Sequence, residues 1–437
     1  MKLLSSRHRP IVIFVAVLLL IILTLLYRAR DTPPLPSPPP GILELSVLVS
    51  PPDWSSLEAY QETITRSDFE QLLASVFTTG DAWKQSIKID ENEAIIQIGV
   101  GTDAFHLRFA PLDHPNSAPR HWRMASELPP TTADKPLAGM KIAIDPGHIG
   151  GDWAKMEERW LVVGTGTPVC EGDMTLLVAN ILKPQLEALG ATVSMVREKS
   201  EPVTQIRPSD LESLAREASP PNSSAAVIQR TAERLFYRTA EIHARARRVN
   251  QIIKPDLVLC LHFNAESWGD PTQPTLIDRT HLHLLVNGAY TDDEVALADQ
   301  RLDLLQKLLQ RTHEEEASIG ATVADTFAAQ SGLPAYTYPP ISTNARPVNG
   351  HPYLWARNLL ANRLYDCPVI FMEPYVMNSI IDYPRFQAGD HAGLQEIGGK
   401  SQPSIFREYA DAVAEGLKIH YTQSRRIEPP SPLPSGD

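Results

Sequence analysis

The feature that most constrains the fold is a set of three short apolar runs, each followed at once by residues able to do chemistry. They lie in KIAIDPGHIGG (141–151), DLVLCLHFN (256–264) and PVIFMEP (368–374). Runs that are apolar at nearly every position are typical of strands covered on both faces, as in a parallel sheet. A segment with helical spacing of its apolar residues (171–189) separates the first two runs. We therefore predict an α/β fold with a mostly parallel sheet and helices on both faces.

Four side chains around these strands form a candidate zinc site. His148 and His262 follow the first two strands, Glu373 ends the third, and Glu171 opens the intervening helix. Because carboxyl ends of neighbouring parallel strands meet at one edge of a sheet, we expect these side chains to converge. Two imidazoles and one carboxylate are ligands of catalytic zinc, which also keeps a position open for water. The sequence predicts His148, Glu171 and His262 as zinc ligands and Glu373 as general acid and base.

Four segments resemble the zinc-dependent N-acetylmuramoyl-L-alanine amidases of the amidase 3 family. The matching segments are DPGHIGG, EGDMTLLVANIL, RARRVN with DLVLCLHFNA, and PVIFMEPYVMN, which occur in this order between about residues 141 and 378. The resemblance implies one zinc ion per chain. It also implies hydrolysis of the amide between N-acetylmuramic acid and L-alanine in peptidoglycan, for cell-wall remodelling, with Glu373 as the catalytic glutamate.

Three further residues are candidates for supporting roles close to this site, and two of them, Arg245 and Asn264, match family positions. Asn264 lies two residues after His262, so on a strand both side chains face the same side, where Asn264 would contact substrate or steady the site. Arg245 is expected to form structural ion pairs. Asp145 is expected to orient His148, since a carboxylate acceptor fixes the tautomer of a metal-binding histidine.

The chain also departs from the family pattern. The gap from His148 to Glu171 is longer than usual, so Glu157, Glu158 and Asp152 stay open as alternatives to Glu171. Glu171 is preferred because it leads directly into the apolar helix. At the substrate groove, Val376 stands where an aromatic residue is common, and Asn378 lies one position earlier than expected.

Composition excludes some functions and leaves others open. The chain has 52 acidic and 40 basic residues and a formal net charge of -12, which argues against nucleic-acid binding. Peptidoglycan, a membrane and an activating protein are the expected partners. The alternative hypothesis is a degenerate amidase fold that binds peptidoglycan or a division partner without cleavage. A third hypothesis is a zinc hydrolase of the same fold that cuts another amide, such as one in a crosslink peptide.

The N-terminus predicts a membrane anchor. Residues 11–27 are uncharged and almost wholly apolar, near the lower length limit for a transmembrane helix, and a cleaved signal peptide is the rival interpretation. Basic residues before the segment favour a cytoplasmic N-terminus. We expect a single-pass protein of the inner membrane, anchored by residues 1–30, with its catalytic domain in the periplasm or otherwise outside the cytoplasm.

The rest of the chain divides by composition. A proline-rich linker (31–41) leads into a small α+β accessory domain (42–128), followed by the catalytic domain (139–422) and a disordered tail (423–437). Within the catalytic domain, residues 199–229 are expected to form a surface insertion. Residues 292–330 are expected to be helical, with RTHEEEA as a charged, solvated face. One hypothesis is that residues 292–330 inhibit the enzyme by covering its site until a partner binds.

Two other groups of residues could approach a metal. His281 and His283 alternate onto one face of a predicted strand, but solvated strand histidines are the favoured interpretation. Cys170 adjoins Glu171, and Cys260 lies two residues before His262. For these cysteines, the favoured interpretation is a small buried apolar side chain.

Overall fold

The structure is a computed structural model that describes residues 44–99, 101, 103–111, 115–270 and 273–428. The predicted anchor (1–30), the proline-rich linker (31–41) and residues 429–437 of the predicted tail lie outside the described residues. Within the described ranges, no helix has both the length and the apolar character needed to cross a membrane.

The N-terminal segment is a small α+β unit. It contains helices α1 (Arg66–Leu72) and α2 (Trp83–Ser86) and strands β1 (Ile87–Ile89), β2 (Glu93–Gln97) and β3 (Ala104–Arg108). A 3-10 helix (Trp54–Tyr60) precedes α1 and a π-helical turn (Leu73–Phe77) extends it. The Thr65 side chain caps α1 by accepting a hydrogen bond from the Asp68 backbone N–H, 3.2 Å away. The three strands form an antiparallel sheet in the order β1-β2-β3.

The remaining strands, in chain order, are β4 (Lys141–Pro146), β5 (Trp160–Leu161), β6 (Val169–Cys170), β7 (Thr192–Met195), β8 (Leu257–Leu261), β9 (Leu282–Val286), β10 (Arg346–Pro347), β11 (Leu354–Ala356), β12 (Val369–Pro374), β13 (Leu394–Ile397) and β14 (Lys400–Pro403). The central sheet has seven strands in the order β10-β11-β9-β12-β8-β4-β7. Strands β12, β8, β4 and β7 are parallel, β9 runs antiparallel to β12 and parallel to β11, and β10 is antiparallel to β11. The prediction of a mostly parallel α/β sheet is confirmed.

The helices of this larger part are α3 (Glu171–Ala188), α4 (Glu212–Ala218), α5 (Ala225–Leu235), α6 (Glu241–Arg247), α7 (Asp292–Ala296), α8 (Ala298–Gln310), α9 (Thr312–Ser331), α10 (Leu360–Leu364), α11 (Tyr383–Ala388) and α12 (Ile405–Ser424). Two π-helical segments, Phe236–Ala240 and Arg248–Ile253, flank α6.

Helices cover both faces of the central sheet. On one face, α3, α9 and α12 pack against the strands in a core that includes Val178, Val323 and Leu417. On the other face, α6 and α10 contribute Ala246 and Ala361 to a separate core. Sheet residues alternate between these two cores, which explains why the strands β4, β8 and β12 are apolar at nearly every position.

The N-terminal unit shares its core with two helices from much later in the chain. Phe69, Phe77 and Leu107 pack in one cluster with Val295 of α7 and Leu305 of α8. Helices α7 and α8 therefore complete the core of the α+β unit.

The run 292–330 is helical as expected and consists of α7, α8 and α9, with α8 ending at Arg311, whose φ of +59° is left-handed. One expectation about this run is corrected. In RTHEEEA, Glu316 is fully buried and accepts hydrogen bonds from the Asn287 and Val369 backbone N–H groups, and His313 is also buried. The prediction of a solvated face is wrong at these two positions, since this side of α9 packs against the sheet.

The insertion at 199–229 is partly built into the fold. Its α4 and the start of α5 form a small core in which Leu211, Ala215 and Ile228 pack with Ile149. Ile149 directly follows His148, so this core supports the loop that carries the histidine.

Candidate metal centre

His148 stands at a tight turn after β4. The Gly147 backbone N–H donates to the Leu261 carbonyl at 2.8 Å, which ties the turn to the end of β8. His148 itself has a left-handed φ of +58°. A Cβ atom on residue 147 would overlap the ring of His262, so glycine is required for the two histidines to approach each other.

His262 follows β8 directly. Its backbone N–H donates to the Met372 carbonyl of β12 at 3.0 Å, and its ring stacks on Phe371 with centroids 4.2 Å apart. The rings of His148 and His262 meet edge to face at 5.0 Å. Backbone and ring contacts therefore both fix the position of His262.

Glu171, at the start of α3, lies between the two histidines. Its Oε1 is 3.1 Å from His262 Nδ1 and also accepts the Phe263 backbone N–H at 3.1 Å, while Oε2 is 3.2 Å from His148 Nε2. One ligand atom from each of the three side chains lies within 4.8 Å of the others. No other such group of three or more His, Cys, Asp or Glu side chains occurs in the part of the chain that the structure describes. The structure thus brings the three predicted ligands together.

The charge state of Glu171 suits a metal ligand. Burial alone would raise the pKa of Glu171, but its interactions with the side chains of His148, His262 and Arg159 lower that pKa below its usual range. The carboxylate is therefore ionised, as metal ligation requires. Two neutral imidazoles with one carboxylate fit a zinc ion by donor type.

Arg159 is a close neighbour of Glu171 that sequence reasoning missed. Its Nε lies 3.2 Å from Glu171 Oε2, and its backbone carbonyl accepts the Glu171 N–H at 3.2 Å. Strands β5 and β6, each of two residues, form the hairpin next to this contact. Strands of two residues leave no recognisable pattern in the sequence, so this hairpin could not be predicted.

The three carboxylates that were alternatives to Glu171 do not lie between the two histidines. Glu157 is buried, accepts the Ile149 backbone N–H at 2.8 Å and lies 3.7 Å from His148 Nδ1. Glu158 pairs with Arg230 at the surface, and Asp152 is exposed. Of the four candidates, only Glu171 lies between both histidines.

Asp145 does not orient His148 as expected. Its carboxylate accepts hydrogen bonds from Arg245 Nη1 at 2.9 Å and from the Tyr365 hydroxyl at 2.5 Å. The carboxylate near Nδ1 of His148 is Glu157 instead, at 3.7 Å, because Asp145 is held by Arg245 and Tyr365.

Arg245 forms the ion pairs that a structural role requires. Besides Asp145, it pairs with Glu241 at 2.8 Å, and its Nη2 donates to the His148 carbonyl at 2.6 Å. All three charged side chains are buried. Arg245 therefore anchors the backbone of the histidine turn rather than the ligand cleft.

Glu373 lines the same pocket as two of the three ligands, His148 and Glu171. This pocket has a volume of about 710 Å³ and also includes Asn264, Glu266 and Trp268. Burial, and next the negative charge of Glu171, raise the pKa of Glu373. A carboxyl group in this position can hold a proton near neutral pH, as a general acid does.

Several N-acetylmuramoyl-L-alanine amidases are among the solved structures to which this chain is similar. The Ami1 amidase of Mycobacterium smegmatis is 16% identical over 66% of this chain and 99% of its own, with a TM-score of 0.36. An amidase of Clostridium difficile 630 is 15% identical over 66% of this chain and 96% of its own, with a TM-score of 0.32. The CwlD amidase of Clostridioides difficile, solved in complex with the GerS lipoprotein, is 11% identical over 65% of this chain and 98% of its own, with a TM-score of 0.36. No protein-family model and no curated protein matches the sequence.

Asn264, the residue expected to contact an amidase substrate, lines the pocket. Its backbone carbonyl accepts the Met377 N–H at 2.8 Å, and its side-chain oxygen accepts the N–H of Ala265 at 2.9 Å. Its amide nitrogen lies 3.5 Å from His283 Nδ1. Asn378 supports the same loop by accepting the Glu266 N–H at 3.0 Å.

His281 and His283 are buried, and the expectation that they are solvated is wrong. They flank and enter β9, which lies inside the sheet, and both rings contact Tyr336 with centroids 4.7 Å away. Burial lowers the pKa of His283 to about 3. Neither histidine belongs to the metal-ligand group.

The cysteines and the helical insert lie apart from the ligands. Cys260 and Cys367 are buried and Cys170 half-buried, all three are free, and none belongs to the metal-ligand group. No described residue between 292 and 331 lines the pocket at Glu373. The hypothesis of autoinhibition by this run therefore has no contact in that pocket to support it.

Proposed function

We propose that this chain is a zinc-dependent hydrolase that cleaves the amide between N-acetylmuramic acid and L-alanine in peptidoglycan. The observation that carries the proposal is the meeting of His148, Glu171 and His262, two of which, His148 and Glu171, line a pocket that also contains the protonatable Glu373. The choice of amide follows from the sequence motifs that these residues occupy.

The three ligands are held by different parts of the fold, so they are preorganised before any metal binds. Arg245 holds the backbone at His148, the β12 backbone holds His262, and α3 presents Glu171. A bound zinc ion would act as a Lewis acid that polarises the scissile carbonyl and lowers the pKa of water.

Glu373 performs the proton transfers in this proposal. Its carboxylate takes a proton from the attacking water and then donates that proton to the departing amine nitrogen. The raised pKa of Glu373 favours this, because a base with a pKa nearer the working pH both accepts and returns a proton readily.

Cellular location follows from the substrate. Peptidoglycan lies outside the cytoplasmic membrane, so we place the catalytic domain in the periplasm or otherwise outside the cytoplasm, anchored by the apolar segment 11–27. An activating protein partner remains part of this proposal.

Product analysis tests the function. Purified peptidoglycan is incubated with the wild type, with Glu373→Gln and with Glu396→Gln, a carboxylate change on the exposed strand β13. Mass spectrometry should detect free stem peptides that begin at L-alanine, reduced at least about 100-fold in Glu373→Gln and unchanged in Glu396→Gln.

Other products would support other functions. Peptides cut within crosslinks would identify a different amide as the substrate. Peptidoglycan bound without any cleavage, by protein loaded with zinc, would identify the chain as a binding module and overturn the proposal.

A further inference from the structure

A second and smaller cavity adjoins the metal-ligand group. It has a volume of about 290 Å³, and His148 and His262 form part of its wall. Much of the remaining wall is apolar, formed by Ile242, Leu359, Leu360, Ala361 and Phe371. Its size is at the lower limit for small-molecule pockets, so it suits one small part of a larger ligand.

Most of the charged residues in this wall are already paired. Asp145 and Glu241 both pair with Arg245, and Glu157 accepts a backbone N–H while it faces His148. Arg159 contacts Glu171, and the remaining charged residue of the wall, Arg238, is exposed. The buried charged groups therefore stabilise the site and offer no unpaired charge to a ligand.

Tyr237 is different, because its hydroxyl is buried and has no hydrogen-bond partner. The residue is only 6% exposed and lines the same cavity. A buried hydroxyl without a partner is destabilising, and native folds seldom keep one without a reason. Tyr237 also lies in the π-helical segment Phe236–Ala240, a type of irregularity that is frequent at functional sites. A ligand that enters this cavity would supply the missing partner.

We propose that this cavity is a substrate subsite for the amine half of the scissile amide. The apolar wall takes the small side chain of the residue that follows the bond, and the Tyr237 hydroxyl forms a hydrogen bond to that residue's peptide group. This inference rests on the proposed function, in which that residue is L-alanine.

The linings of the two pockets indicate which half of the substrate, the sugar or the peptide, each pocket would bind. The larger pocket contains Trp268, Asn264 and Glu266, an aromatic ring with polar groups, which is suited to a hydroxyl-rich sugar. The smaller cavity has an apolar wall and one free hydroxyl, which is suited to a methyl group next to a peptide bond. His148 lines both pockets, Glu171 lines the larger one and His262 lines the smaller one, so the metal-ligand group lies between them.

Binding measurements test the subsite separately from cleavage. The probes are N-acetylmuramoyl-L-alanyl-D-isoglutamine and its analogues with glycine or L-aspartate in place of L-alanine. Affinities are measured by calorimetry on zinc-loaded protein carrying Glu373→Gln, which slows turnover. The same background then receives Tyr237→Phe or, as a matched control, Tyr353→Phe, whose hydroxyl donates to the Leu333 carbonyl outside both cavities.

The alanine probe should bind about fourfold more tightly than the glycine probe, the factor for burying one methyl group. It should bind at least roughly tenfold more tightly than the aspartate probe, whose charge would be buried against apolar side chains. Tyr237→Phe should weaken binding of the alanine probe by about three- to tenfold, and Tyr353→Phe should not change it.

Equal affinities for the three probes would overturn the subsite, as would full affinity in a folded Tyr237→Phe variant. If Tyr237→Phe does not fold, the affinities of the three probes for protein that retains Tyr237 still test the subsite. Cleavage of the same probes by protein with Glu373 intact separates the two proposals. The predicted order of affinities without any cleavage would keep the subsite and overturn the function, whereas cleavage with equal affinities would overturn the subsite alone.

Discussion

His148 Nδ1 lies 3.7 Å from Oε1 of the buried Glu157. The other ring nitrogen, Nε2, faces Glu171. Because each nitrogen has its own carboxylate neighbour, Glu157 can fix both the tautomer and the orientation of the ring while Nε2 remains a ligand.

We therefore expect Glu157→Gln to weaken zinc binding by about 10- to 100-fold, the usual effect of removing a residue that orients a metal ligand. Zinc affinity is measured by competition with a chelator. Glu158→Gln, a change in the next residue at the surface, is the control and should keep wild-type affinity. Equal affinities in the two variants would show that Glu157 does not orient His148.

Loss of the Arg159 charge should have the opposite effect on zinc affinity from loss of the Glu157 charge. Its Nε contacts the same Glu171 oxygen that faces His148, so its positive charge opposes that of a bound cation. Arg159→Gln should tighten zinc binding by roughly two- to fivefold, the scale of a partly exposed ion pair. The same chelator competition measures it, and weaker binding would show that Arg159 supports the metal site instead.

The difference between Glu157 and Asp145 shows where sequence reasoning ends. The strands β4, β8 and β12 and the residues that follow them were predictable, because buried parallel strands have a recognisable apolar pattern and their carboxyl ends meet at one edge. Which carboxylate faces His148 was not predictable. Asp145 is drawn away by Arg245 and Tyr365, which are 100 and 220 residues distant in the chain.

Burial of polar residues was also beyond the sequence. His283 is buried because β9 inserts between β11 and β12, opposite Glu373, and no local pattern specifies that neighbour. Glu316 is buried because one side of α9 faces the sheet, where two backbone N–H groups compensate the carboxylate. Tertiary contacts override the local charge pattern in both cases.

The buried pairs of Arg245 should matter for stability. Arg245→Leu would leave Asp145 and Glu241 buried without their cation, and we expect the free energy of unfolding to fall by about 3–5 kcal/mol. Urea denaturation measures the change. Arg407→Leu, which breaks a surface pair with Asp390, is the control and should leave stability nearly unchanged. Similar losses in both variants would contradict a special role for the buried network.

Stability should depend on pH through a buried histidine remote from the metal site. Burial lowers the pKa of His420 to about 4, while an unfolded histidine titrates near 6.5. Between these values the unfolded chain binds more protons, so the stability contribution present above about pH 6.5 is lost as the pH falls towards about 4.

His420→Phe should remove this share of the acid sensitivity. The difference in unfolding free energy between pH 8 and pH 5 should be about 1–2 kcal/mol smaller in the variant than in the wild type. Urea midpoints at the two pH values measure it. An identical pH dependence in both proteins would show that His420 is not held neutral by the fold.

The most direct test of the account is the zinc content of the purified chain. We predict one zinc ion per chain in the wild type, and loss of that zinc in Glu171→Ala with the fold retained by circular dichroism. A wild-type chain that binds no zinc when zinc is supplied, or a Glu171→Ala chain that keeps its full zinc content, would contradict the metal centre and the hydrolase proposed from it.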